Sequence, residues 1–133
     1  MHLFDTNIFS YIYKQNNEVL VTKITQIPNS EICLCSTVLA ELIFGAFNNL
    51  ALTKVLLEYY SEISSEYICY DFDKKSTVEF GRIKSYLKNI GKSMDDMDLT
   101  IASICLANDL ILVTNNTKHF QNISSLKIEN WVR

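Results

Sequence analysis

Met1-His2-Leu3-Phe4-Asp5-Thr6-Asn7 decides how this chain is read. A short apolar run ends abruptly in an acid, and helical spacing follows at once, with Ile8, Phe9 and Ile12 on one side. A carboxylate at the end of a buried strand carries a desolvation cost unless something compensates it. In an open α/β sheet the carboxyl ends of the strands face the crevice where ligands bind. Asp5 is therefore the first candidate site residue, and the reading turns on which other acids share its crevice.

Outward from this stretch, short apolar runs alternate with helical patterns. His2 to Phe4 reads as a strand, Thr6 to about Tyr13 as a helix, and Glu18 to Gln26 as a helix ended by Pro28. Ile32 to Cys35 is a second strand, with Ser36 predicted to cap a helix reaching about Asn48. Ala51 to Ile63 is a further helix and Tyr67 to Tyr70 a third strand. Asp73 caps a long helix that Gly91 ends, and Met94 to Asn108 is the next. Leu110 to Val113 and Leu126 to Glu129 are the last strands, with Trp131 closing a hydrophobic edge. This alternation predicts an α/β fold, a three-layer α/β/α arrangement with a central, mostly parallel sheet of four to five strands. Residues 1–133 are expected to form a single domain.

Composition narrows the function. Apolar residues make up 48% of the chain, enough for a core, and no apolar run reaches the roughly 20 residues of a membrane helix. The N-terminal stretch lacks the charged and apolar regions of a signal peptide, so the expected location is cytoplasmic and no membrane partner is expected. Cys33, Cys35, Cys69 and Cys105 form no CxxC or Cys/His cluster and read as free thiols rather than a zinc site. The net charge of −3 argues against a bulk electrostatic grip on nucleic acid, but not against a local basic strip or a metal-filled acidic site.

Two further acids share the oddity of Asp5. Glu41 lies within Val38-Leu39-Ala40-Glu41-Leu42-Ile43, and Asp98 precedes Ile101 and Ala102 by three and four residues. A surface helix places its acids on the polar side, whereas these two fall on or beside the apolar stripe. Each acid has an ordinary alternative: Asp5 as a helix cap, Asp98 at a positive helix end, Glu41 paired with a lysine. Taken together they suggest a shared site. Three carboxylates in one crevice need a counter-charge, and divalent Mg or Mn is the natural one. Water activation and in-line attack at phosphorus is the chemistry that follows. A Gly-rich phosphate loop is absent, which disfavours an NTPase.

Five ordered blocks now carry a resemblance. Phe4-Asp5-Thr6-Asn7-Ile8, Ser36 to Ala46, Asp98 to Ser103, Val113 to Phe120 and Ile128-Glu129-Asn130-Trp131 resemble the PIN-domain ribonucleases, specifically VapC-type toxins of bacterial toxin–antitoxin pairs. The resemblance implies a PIN-like fold and a metal-dependent endoribonuclease. Asp5, Asp98 and Glu41 would hold Mg or Mn, and cleavage of a tRNA or structured RNA loop would leave a 5′-phosphate and a 3′-hydroxyl. Many members carry a fourth acid in the Thr-x-Asp segment, and some carry one just before the following Phe. Here those positions hold Asn116 and His119. Asn116 stays a candidate catalytic residue through its carbonyl oxygen, but it brings no charge, so a second metal is expected to bind weakly. His119 reads first as a surface residue, with RNA contact and proton carrier as alternatives.

Thr6, Asn7 and Thr114 are expected to orient the carboxylates, with capping and strand termination as their alternative roles. Lys84, Lys88 and Lys92 recur every four residues toward Asp98 and are candidate RNA contacts, or an ordinary solvated face. The resemblance also implies a VapB-type antitoxin wrapped on the bulky apolar helices of the N-terminal half. It further implies a homodimer and a larger assembly that binds operator DNA through the antitoxin. Two alternatives remain open: a non-catalytic PIN-like RNA-binding module, and a PIN nuclease with another nucleic-acid substrate.

Overall fold

The computed structural model describes residues 1–133. Its strands are β1 (His2–Phe4), β2 (Ile32–Cys35), β3 (Ile68–Tyr70), β4 (Ile111–Val113) and β5 (Ile128–Glu129). They form one five-stranded sheet in the order β3-β2-β1-β4-β5, and every pairing is parallel. The helices are α1 (Thr6–Lys14), α2 (Glu18–Thr25), α3 (Ser36–Asn48), α4 (Thr53–Glu66), α5 (Lys74–Asn89), α6 (Asp96–Ala107) and the single turn α7 (Thr117–Phe120). The expected α/β architecture is thus realised with all strands parallel.

Burial explains why the strands lack polar/apolar alternation. All four residues of β2 are buried, as are Leu3, Phe4, Leu112 and Val113, so helices cover both faces of the sheet. Each such side chain removed from water contributes about 1.5–3 kcal/mol. The core extends to Trp131, whose ring stands T-shaped to Phe4 with centroids 5.3 Å apart while its indole N–H donates to Glu129 Oε2 at 2.7 Å. The last strand is thereby closed over the apolar edge, as the sequence suggests.

The strand order places the crevice. From β1 the sheet grows toward β2 and β3 on one side and toward β4 and β5 on the other. Between β1 and β4 the winding reverses, and loops leaving the carboxyl ends of these strands diverge. Phe4 and Val113 are register partners, so Asp5 and Thr114 leave the sheet side by side at this switch point.

Several boundaries differ from the sequence reading. Ser36 begins α3 instead of capping it: the extended residue Cys35 holds the N-cap position and makes no side-chain cap bond. Helix α4 starts at Thr53, because the Thr53 hydroxyl donates to Ala46 O at 2.7 Å and closes the end of α3, and it runs on to Glu66. Helix α6 starts at Asp96, capped by Asp95, whose carboxylate accepts the Met97 amide at 2.7 Å. The turn α7 is short enough to leave no periodicity. All four cysteines are free thiols.

Helix α5 ends as its sequence predicts. Gly91 has φ 71°, the Lys92 amide donates to Leu87 O at 2.8 Å and the Gly91 amide to Lys88 O at 3.1 Å. Gly81, in the middle of α5, has open space around a would-be Cβ and no positive φ. The two glycines therefore respond oppositely to alanine. Gly91→Ala is expected to lower stability by about 1–2 kcal/mol, the cost of a Cβ in the left-handed region. Gly81→Ala is expected to raise it by about 0.5–1 kcal/mol. Chemical denaturation midpoints at constant m-value check both signs.

Candidate functional site

Asp5 is 6% exposed and uses both carboxylate oxygens within the protein. Oδ1 accepts the Thr6 amide at 2.7 Å, so Asp5 caps α1. Oδ2 accepts the Thr114 hydroxyl at 2.8 Å. That hydroxyl in turn accepts the Asn116 amide at 3.0 Å. The end of β1 is thus tied to the segment leaving β4, and the capping role and the site role of Asp5 coexist.

Glu41 and Asp98 arrive on helices. Glu41 is half-buried on α3, and its Oε1 accepts the Thr6 hydroxyl at 2.8 Å, so no lysine is its partner. Asp98 is half-buried in the first turn of α6. The two helices are joined by a hydroxyl pair, Thr37 and Thr100, 2.9 Å apart. Thr37 lies one turn before Glu41, and Thr100 two residues after Asp98. His119 of α7 places Nδ1 3.4 Å from Asp98 Oδ2.

The three carboxyls influence one another. Burial raises the pKa of Asp5, opposed by the Thr114 and Thr6 hydrogen bonds and by His119. Burial also raises Glu41, and the charges of Asp5, Asp98 and Asp95 push it further up against the Thr6 hydrogen bond. Asp98 is raised first by burial and then by Asp5 and Asp95, with His119 opposing. Apart from the His119–Asp98 contact, none of the three forms an ion pair; Lys84 of α5 pairs with Asp96 at 3.0 Å instead. The crevice therefore concentrates negative charge with no Lys or Arg to balance it.

The donor set is carboxylate and hydroxyl oxygen with one imidazole nearby, which fits a hard divalent cation. No three acidic, His or Cys side chains converge closely enough to make a ready cage. A bound cation would supply the attraction that pulls these mutually repelling groups inward.

Other sequence-predicted residues divide. The Thr6 and Thr114 hydroxyls donate to Glu41 and Asp5. Asn7 does not: it is exposed and makes no hydrogen bond to the acids, because one helical step from Thr6 rotates its side chain to solvent. Asn116 reaches Thr114 through its backbone N–H, and its side-chain carboxamide makes no hydrogen bond. Lys84, Lys88 and Lys92 are exposed and line one cavity of about 280 Å³ with Leu87, Met94 and Leu99. Sequence reasoning passed over Asp95, Thr37 and Thr100. Asp95 had a signal, an acid capping pattern with Asp98 three residues on, just ahead of an apolar run. The threonine pair had none, since it depends on how α3 crosses α6.

Residues 3–126 match the PIN domain family. The chain belongs to that family. The ribonuclease VapC2 of Haemophilus influenzae is 30% identical over 131 residues, covering 98% of each chain. The tRNA(fMet)-specific endonuclease VapC of Salmonella typhimurium is 30% identical over 129 residues, covering 97% of this chain and 96% of the relative. Among solved structures, VapBC2 from Rickettsia felis bound to a DNA fragment from its promoter superimposes with a TM-score of 0.87 at 30% identity, covering 98% of both chains. The PIN-domain chain described here therefore resembles the VapC ribonucleases over nearly its full length.

The raised carboxyl of Asp98 has a measurable consequence in protein kept free of metal with EDTA. Its folded pKa lies above its unfolded one, so the neutral form is the one folding favours. Stability from this group is complete below the unfolded value of about 3.9 and is lost as pH rises through the folded value. Asp98→Asn mimics the neutral form. It is expected to raise Tm relative to wild type at pH 7, and the gain should shrink toward zero near pH 4. Thermal unfolding across that range reads the difference.

Proposed function

We propose that this chain is a VapC-type, divalent-metal-dependent endoribonuclease, acting as the toxin of a toxin–antitoxin pair and neutralised by a VapB-type antitoxin. The observation that carries the reading is Asp5, a buried carboxylate at the β1/β4 switch point, facing Glu41 and Asp98 without a Lys or Arg counter-charge. Relatives named as ribonucleases support the reaction, and solved VapBC complexes support the partner.

In this reading Asp5, Asp98 and Glu41 hold Mg or Mn. The cation supplies a lowered pKa for water and charge neutralisation at the scissile phosphate. Thr114 and Thr6 keep the Asp5 and Glu41 lone pairs fixed, so that little reorganisation is needed when substrate arrives. The Asn116 carbonyl is close enough in sequence to Thr114 to join them. Lys84, Lys88 and Lys92 offer phosphate contacts beside the N-terminus of α6, for a tRNA or another structured RNA.

Phe44, Phe47, Leu50 and Val55 are all at least half exposed around the α3–α4 turn. Such a patch suits cover by another chain, the antitoxin or a second copy in a homodimer. The reading includes an assembly that binds operator DNA through the antitoxin. No helix is long and apolar enough to cross a membrane, and we place the protein, as one domain, in the cytoplasm.

RNA cleavage in Mn or Mg tests the activity. EDTA is expected to abolish it, and Asp5→Asn to slow it about 10²-fold or more, in line with the several kcal/mol that a metal Lewis acid contributes. Unchanged cleavage in both cases would refute the metal site, and Mn binding without cleavage of any RNA would favour a binding module. Paired substitution of Lys88 and Lys92 by Ala is expected to weaken RNA binding uniformly across sequences. It should reduce the slope of log K against log salt by about 1–2, as phosphate contacts are lost.

A further inference from the structure

We propose that His119 gives the cation held by Asp98 a nitrogen ligand, and that this tilts the site from Mg toward Mn. The inference rests on the reading of Asp98 as a metal ligand and adds a donor to it.

Three observations carry it. Nδ1 of His119 lies 3.4 Å from Asp98 Oδ2, and His119 is the one basic side chain that touches any of the three acids. Two ligand atoms on one ion, each bonded at about 2.1 Å and set at right angles, stand about 3 Å apart. The observed pair is therefore a few tenths of an ångström wider than a shared ion requires. Secondly, His119 is placed by its surroundings. Its amide donates to Asn116 O at 3.0 Å, and the adjoining Phe120 is fully buried, which pins the turn α7. Thirdly, the imidazole remains 60% exposed, which leaves the ring room to turn about χ1.

The consequence for selectivity is chemical. Mg holds oxygen donors and water almost exclusively, whereas imidazole favours transition metals. A site of carboxylates alone has little reason to prefer Mn, and one imidazole supplies that reason. The competing role for His119 is a hydrogen bond that only orients Asp98, with no bond to the ion.

Pulsed EPR of Mn(II) bound to untagged protein separates the two. The chain holds only two histidines, and the other, His2, starts β1 while Asp5 follows its opposite end. Histidine-type ¹⁴N coupling to Mn is expected in the wild type and should vanish in both His119→Ala and His119→Glu. In His119→Glu, Mn is still expected to bind, with its preference over Mg reduced about tenfold or more. Mn bound to the wild type without nitrogen coupling would overturn the proposal while leaving the carboxylate site intact. An unchanged Mn/Mg preference in His119→Glu would do the same. Failure of Mn to bind the wild type at all would remove the metal reading itself.

Discussion

A buried carboxylate stands at the end of the central strand with two neutral donors and no lysine or arginine partner. Asp5 accepts the Thr6 amide on one oxygen and the Thr114 hydroxyl on the other. Neutral hydrogen bonds offset part of the desolvation cost but leave the charge uncompensated. The other features of the crevice follow from that residual deficit. The carboxyls of Glu41 and Asp98 are pushed upward partly because Asp5 already faces them. A fold that keeps three such groups together forgoes stability at neutral pH, as functional sites commonly do.

The sheet order turns this local cost into a site. With β4 next to β1, the residue after each strand lands beside the other, and the Thr114–Asp5 bond spans the switch point. Glu41 and Asp98 reach the same place from helices that follow β2 and precede β4. Their helices are joined by the Thr37–Thr100 contact, which involves neither acid. The scaffold can therefore hold its shape while the carboxylates adjust to a cation, a division suited to a site with no ready-made cage.

The apolar surface extends the same logic to partners. Phe44 and Phe47 lie on the C-terminal half of the helix that carries Glu41, and Leu50 and Val55 continue the patch into the turn and the start of α4. A chain seated there packs on the element that positions a site carboxylate. On the proposed reading, recognition and catalysis would share this helix, with cover over one end lying within a few turns of the other.

Much of this was legible in the residues themselves. The apolar runs, the capping Asp73, the terminating Gly91 and three acids breaking an apolar pattern are local signals, because strand burial, helix ends and amphipathicity act over a few residues. They carried the α/β class and the strand positions, and they singled out Asp5, Glu41 and Asp98 as acids in an apolar setting. Other features needed the chain in three dimensions. Asn7 adjoins Asp5 in sequence yet turns to solvent, whereas Thr114, over a hundred residues away, binds it. His119 reads as an isolated surface histidine until α7 brings it against Asp98. The Thr37–Thr100 pair exists only because α3 crosses α6. Sequence determined which residues carry charge into an apolar setting; tertiary structure decided which partners they meet, because hydrogen bonds and Coulomb forces depend on distance in space and not along the chain.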